Sequence, residues 1–108
     1  NEVYKIAVKR LSDLAEETLK NCNMTSEDLT WMIPHQANIR IISAVAKRIT
    51  LPMNKVILTL EKHGNTSAAS IPLALDVAVR DGRIKKGDSL LFEGIGGGFS
   101  WGSVLVEY

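Results

Sequence analysis

Two apolar runs close the chain, Ser89 to Glu93 and Ser100 to Glu107, with only Gly94-Ile95-Gly96-Gly97-Gly98-Phe99 between them. That joint is short enough to return one strand antiparallel to the other, so the chain must build a sheet. Ahead of the pair the apolar period changes to that of helices. Val3, Ile6, Ala7, Leu11, Leu14, Ala15 and Leu19 recur at helical spacing and predict a helix from about Val3 to Lys20. Thr25-Ser26-Glu27-Asp28 has the composition of a helix start and predicts one short turn. Trp31-Met32-Ile33 reads as a short buried strand, stopped by Pro34. Ile39, Ile42, Val45, Ala46 and Ile49 form the stripe of a second helix, from about Asn38 to Ile49.

Leu51-Pro52-Met53-Asn54 breaks that helix. Val56-Ile57-Leu58 then reads as a strand, with Thr59-Leu60-Glu61-Lys62 open to a helical reading. A third helix is expected to open with Thr66 or Ser67 as N-cap and to run to about Asp81, tolerating Pro72 in its first turns. Asp81-Gly82-Arg83 and Lys86-Gly87-Asp88 are turns. Helix, strand, helix, strand, helix, strand, strand is the order of an α/β fold, a mixed β-sheet covered by helices.

The 108 residues fit one domain, and 45% apolar with 23% charged residues is ordinary globular composition. A net charge of +1 argues against a general nucleic-acid-binding surface. No apolar run approaches the ~20 residues of a membrane helix. Asn1-Glu2-Val3-Tyr4-Lys5 has none of the regions of a signal peptide and reads as a cut just ahead of a helix. A single cysteine, Cys22, excludes a disulfide framework within the chain and fits a reducing, cytoplasmic setting.

Two polar clusters carry chemistry. Pro34-His35-Gln36-Ala37-Asn38 delivers an imidazole where a strand ends, and ligands of α/β sheets gather at the carboxyl ends of strands. Lys62-His63-Gly64-Asn65-Thr66-Ser67 presents an amide on a glycine turn ahead of a helix. As neutral donors, His35 and Asn65 can polarise one carbonyl oxygen together. Each also has a plain reading, His35 as a structural histidine and Asn65 as a residue flanking a cap. His63 reads as solvated, and no carboxylate or cysteine joins the histidines at metal-ligand spacing.

The glycine cluster lacks the following helix that a dinucleotide loop requires. It is either a plain turn or a place where backbone amides approach a ligand. Arg40, Lys47 and Arg48 lie opposite the apolar stripe of the second helix. They form either a solvated face or a small basic patch suited to a phosphate-bearing partner. Cys22, in a polar helix-terminal segment, reads as an incidental thiol.

Three segments in order, Pro34-His35-Gln36-Ala37-Asn38, His63-Gly64-Asn65-Thr66-Ser67-Ala68-Ala69-Ser70 and Gly96-Gly97-Gly98-Phe99-Ser100-Trp101-Gly102, resemble the β-ketoacyl-acyl-carrier-protein synthase III family. The likeness covers the whole chain, residues 1–108, as the C-terminal half of such an enzyme. It implies a thiolase-like half, in a protein whose two similar α/β halves form homodimers. The family's catalytic set is Cys-His-Asn, and the resemblance assigns its histidine and asparagine to His35 and Asn65. The cysteine belongs to the N-terminal half, and Cys22 does not align with it.

The reaction so implied starts fatty-acid synthesis, with no cofactor beyond its substrates acyl-CoA and malonyl-ACP. The absent cysteine takes an acyl group, usually acetyl, from coenzyme A. His35 and Asn65 then hold the thioester carbonyl of malonyl-acyl-carrier-protein while it decarboxylates. The resemblance further implies an oxyanion amide at Gly97, a coenzyme A and pantetheine contact at Asn38, and acyl-carrier-protein docking at Arg40, Lys47 and Arg48. Ile95 departs from the pattern, because many relatives place an aromatic there. Two alternatives stand beside this reading: a related Cys-His-Asn condensing enzyme of polyketide or alkylquinolone synthesis, and a non-catalytic carrier-protein docking fragment. The expected exposed inner face of an isolated half is apolar and prone to association.

Overall fold

The structure, a computed structural model, describes residues 2–35, 38–58, 70–96 and 100–108. Helix α1 spans Glu2–Asn21 and strand β1 spans Trp31–Pro34. Helix α2 follows at Ile39–Arg48 and helix α3 at Ser70–Arg80. Strands β2, Ser89–Gly96, and β3, Ser100–Glu107, end the chain. Single turns of 3-10 helix lie at Ser26–Asp28 and Met53–Lys55. In the first of these the Asp28 carboxylate accepts from the Thr25 backbone N–H at 2.9 Å, the contact its helix-start composition implies.

Among the described residues the sheet has the order β1-β2-β3. β1 runs parallel to β2, with Trp31 opposite Leu90 and Pro34 opposite Glu93. β2 runs antiparallel to β3, with Ser89 opposite Glu107 and Gly96 opposite Ser100. The expected mixed sheet is therefore present, and the parallel pair is joined, as it must be, by a long crossover that includes α2 and α3.

Alternation along the strands divides the core into two layers. Met32 and Leu91 face α1 and α2, where they pack with Leu11, Ala15, Ile42 and Val45. Ile33 and Leu90 face the opposite way, against Ala74 and Ala78 of α3. Those two alanines, four residues apart and fully buried, let the helix backbone approach the sheet closely. The sheet is thus covered on both sides over β1 and β2. On β3, Val104 and Val106 remain exposed.

Two details depart from the sequence expectation. Val56-Ile57-Leu58 does not form a strand of its own: Val56 makes one parallel bridge to Met32, and the Ile57 N–H donates to the Met32 carbonyl at 2.9 Å. The 3-10 turn at Met53–Lys55 runs directly into this run. β2, conversely, continues past Glu93 to Gly96, because its ladder with β3 holds Gly94 opposite Gly102 and Ile95 opposite Trp101. Cross-strand pairing here overrides the low strand preference of glycine. The expected start of the third helix at Thr66 or Ser67 lies outside the described residues. Where α3 is described, from Ser70, Pro72 falls in its first turn.

Both α1 and α2 end in the same six-residue motif. Met24 N–H reaches back to the Leu19 carbonyl at 2.8 Å, and Leu51 N–H to that of Ala46 at 2.8 Å. The motif needs a left-handed residue, supplied by Asn23 at φ 56° and by Thr50 at φ 59°. Asparagine tolerates that region, whereas a β-branched threonine is strained in it. Thr50→Gly is expected to raise the unfolding free energy by ~1 kcal/mol, and Asn23→Gly by less. Denaturant midpoints of the two variants check this, and a lowered midpoint for Thr50→Gly refutes it.

Candidate active site at the end of β1

The C-terminal end of β1 brings its side chains to the start of α2 and to the middle of β2. His35 follows Pro34 and continues the ladder, its backbone N–H donating to the Glu93 carbonyl at 2.8 Å. Residues two apart share an edge of a strand, so Pro34 presents its missing N–H to the far edge, where Ile57 meets Met32. A proline can therefore end the strand without loosening the bond that fixes His35. His35 is half-buried and lines a small pocket of about 30 Å³ together with Asn38, Glu93 and Gly94. Leu11 of α1 and Ile42 and Val45 of α2 form its apolar wall.

Asn38 is the N-cap of α2, and its side-chain oxygen accepts from the Arg40 backbone N–H at 2.8 Å. That bond holds the side chain at the helix start and leaves the amide NH₂ free to donate to a ligand. Asn65 and Gly97, the other two residues assigned to the chemistry, lie outside the described residues, as does His63. The structure therefore joins His35 to Asn38 and says nothing of the other donors.

Glu93 is the site residue that sequence reasoning missed. It is 2% exposed, and its Oε2 has no hydrogen-bond partner among the described residues. Desolvation raises its carboxyl from 4.5 to about 8, so at neutral pH the group is mainly the uncharged acid. A signal was present in the sequence. In Leu90-Leu91-Phe92-Glu93 the acid shares its strand face with Leu91, which an apolar core would claim.

The basic residues of α2 separate into two places. Arg40 and Lys47, both exposed, line one surface groove with Tyr4, Ile39, Ser43 and Ala44. There the Arg40 guanidinium lies 5.5 Å from the centre of the Tyr4 ring, and the Tyr4 hydroxyl donates to the Arg40 carbonyl at 3.3 Å. Arg48 lines a different groove, with Glu16, Lys20 and Thr50. Cys22 is exposed just after α1 and is not among the residues that line the pocket. Among the described residues no group of three histidine, cysteine or acidic side chains is placed to hold a metal. No helix among them is long and apolar enough to cross a membrane.

Comparison with known proteins points the same way as the pocket. The family model described as 3-oxoacyl-[acyl-carrier-protein (ACP)] synthase III C terminal matches residues 19–108. A β-ketoacyl-[acyl-carrier-protein] synthase III of Vesicomyosocius okutanii is 77% identical over 108 residues, all of this chain and 34% of that protein. The crystal structure of the 3-oxoacyl-[acyl-carrier-protein] synthase III of Aquifex aeolicus superimposes with a TM-score of 0.96 at 44% identity, over 99% of this chain and 35% of that one. The priming β-ketosynthase of the R1128 polyketide pathway superimposes with a TM-score of 0.90 at 37% identity, over 98% of this chain and 32% of that one. The chain spans about a third of the length of the relatives it matches. With the mixed sheet, the histidine at the end of β1 and a family match over residues 19–108, the chain belongs to the β-ketoacyl-acyl-carrier-protein synthase III family, as its thiolase-like C-terminal domain.

Proposed function

We propose that this chain supplies the decarboxylation half of a β-ketoacyl-acyl-carrier-protein synthase III, whose cysteine-bearing N-terminal half completes the site in a cytoplasmic homodimer. The observation that carries the reading is the half-buried His35, held by its backbone to Glu93 at the mouth of a pocket on the carboxyl end of the sheet. In the proposed reaction the cysteine accepts an acyl group from acyl-CoA and releases coenzyme A. His35 and Asn65 then donate hydrogen bonds to the thioester carbonyl of malonyl-acyl-carrier-protein. Carbon dioxide leaves, and the electrons of the broken bond form an enolate whose oxygen those donors stabilise. The enolate carbon attacks the acyl-cysteine, the Gly97 amide steadies the second oxyanion, and the thiolate departs as the β-ketoacyl product forms. Donors that bind the enolate more tightly than the ketone accelerate the step they share. Asn38 offers its NH₂ to the pantetheine arm.

Mass spectrometry after incubation with acetyl-CoA and malonyl-acyl-carrier-protein tests the division of labour. The chain alone should give neither an acyl adduct nor acetoacetyl product, and the complete enzyme should give both. An acetyl group on Cys22 with condensed product overturns the assignment. The similarity to the polyketide priming enzyme supports a second reading, since this half has the same fold in both classes. The acyl chain found on the product distinguishes them.

Carrier-protein docking is assigned to the groove of Arg40 and Lys47, with Arg48 contributing from its neighbouring face. Arg40→Ala is expected to raise KM for malonyl-acyl-carrier-protein roughly five- to tenfold with kcat little changed, because the charge acts on encounter and not on the enolate. The increase should shrink as added salt screens the exposed charge. An effect on kcat alone refutes the docking role.

A further inference from the structure

One group in the pocket has no role in the reaction as just described. Glu93 is nearly inaccessible, lies among apolar side chains, and lines the same small pocket as His35. Its place is fixed twice, by the ladder that sets it opposite Pro34 and by the one that sets it opposite Ser103. The Oγ of Ser103, its ladder partner on β3, is likewise buried without a partner, and no lysine or arginine stands among the described residues that line the pocket. The groups facing Glu93 are uncharged from each element packed on it: Leu11 from α1, Asn38, Ile42 and Val45 from α2, and Ser103 from β3. His35, after β1, is the one other titratable residue among the described residues that line the pocket.

A buried acid with no cation beside it persists only in its neutral form. That is a purposeful arrangement here. Decarboxylation gathers negative charge on an oxygen held by His35, and an ionised carboxylate in the same pocket would oppose that charge through a medium of low dielectric. It would also repel the malonyl carboxylate on arrival.

We propose that Glu93 is a positioning residue for the condensation, a carboxylic acid kept uncharged in the pocket that His35 also lines, so that the pocket accepts an anionic substrate and its enolate. The proposal rests on the reading of His35 as the enolate donor. It gives the enzyme an alkaline limit: as pH rises through about 8, Glu93 ionises and turnover falls.

The test is the pH–rate profile for decarboxylation of malonyl-acyl-carrier-protein by the full-length enzyme, with Glu93→Gln and His35→Ala beside the wild type. The wild-type rate should fall about tenfold between neutral and alkaline pH. Glu93→Gln, neutral at every pH, should abolish that decline. A Glu93→Gln profile that superimposes on the wild type, or a wild type with no decline, overturns the proposal while leaving the role of His35 intact. Undiminished decarboxylation by His35→Ala instead overturns the reading of His35 itself. Should Glu93→Gln fail to fold, the imidazole resonance of His35 in the wild type, assigned by its loss in His35→Ala, gives the answer. An inflection near pH 8 supports a titrating neighbour, and its absence overturns it.

Discussion

His35→Ala in the full-length enzyme lowers the rate of malonyl decarboxylation by roughly 10²–10³-fold, the loss expected for one oxyanion donor. The bond that seats the residue runs from its backbone N–H to the Glu93 carbonyl, and alanine keeps it. The strand end should therefore survive, and the loss should appear in kcat for decarboxylation. His35→Gln, which retains a neutral N–H at similar reach, should recover part of the rate. Acylation of the enzyme by acetyl-CoA, a step that does not form the enolate, should be affected far less. The measurement is release of carbon dioxide from malonyl-acyl-carrier-protein under single turnover, with thermal unfolding as a check on the fold. A decrease of less than fivefold is incompatible with the assigned role.

Leu91→Ala destabilises the protein by roughly 2–5 kcal/mol, the range for leucine removed from a packed core. Leu91 is fully buried on the central strand, opposite Met32 on one side and Leu105 on the other. It faces the layer formed by α1 and α2, so its loss opens a cavity that both helices and the two neighbouring strands must shift to fill. Leu105 is only partly buried and lies on β3, at the edge of the described sheet, so Leu105→Ala should cost about 1 kcal/mol. Denaturant unfolding of the two variants measures the difference. Equal losses would show that the load is not carried at the centre of the sheet.

The helices were legible because their signal is local. The stripe of Val3 to Leu19 reports a period that any buried helix must have, and α1 falls within a residue of it at each end. The stripe of α2 was equally plain, and Asn38 stands at its start as the N-cap. The closing strands were legible from two apolar runs and the glycines between them. The run at Val56-Ile57-Leu58 has the same local character, yet it makes one bridge, because a strand exists only where a neighbour has room to pair with it.

The candidate site divides along the same line. His35 could be picked out because a proline-stopped apolar run places the following residue at the end of a strand. Asn65 and Gly97 were marked by turn chemistry and family likeness, and the described structure leaves both as assignments. That Arg40 and Lys47 share one groove follows from helical spacing, but Tyr4 enters that groove from a helix 36 positions away. No local pattern announces such a contact.

By itself the sequence determined the α/β class, the stripes of the first two helices and the antiparallel closing pair. Each of these depends on the period or the turn preference of neighbouring residues. Tertiary structure decided which strand lies in the centre, how far β2 extends, and which residues share the pocket of His35. Above all it decided the state of Glu93. A glutamate is charged or neutral according to the water and the charges around it, and here β1, β3, α1 and α2 exclude the water, with no lysine or arginine among the described residues that line the pocket.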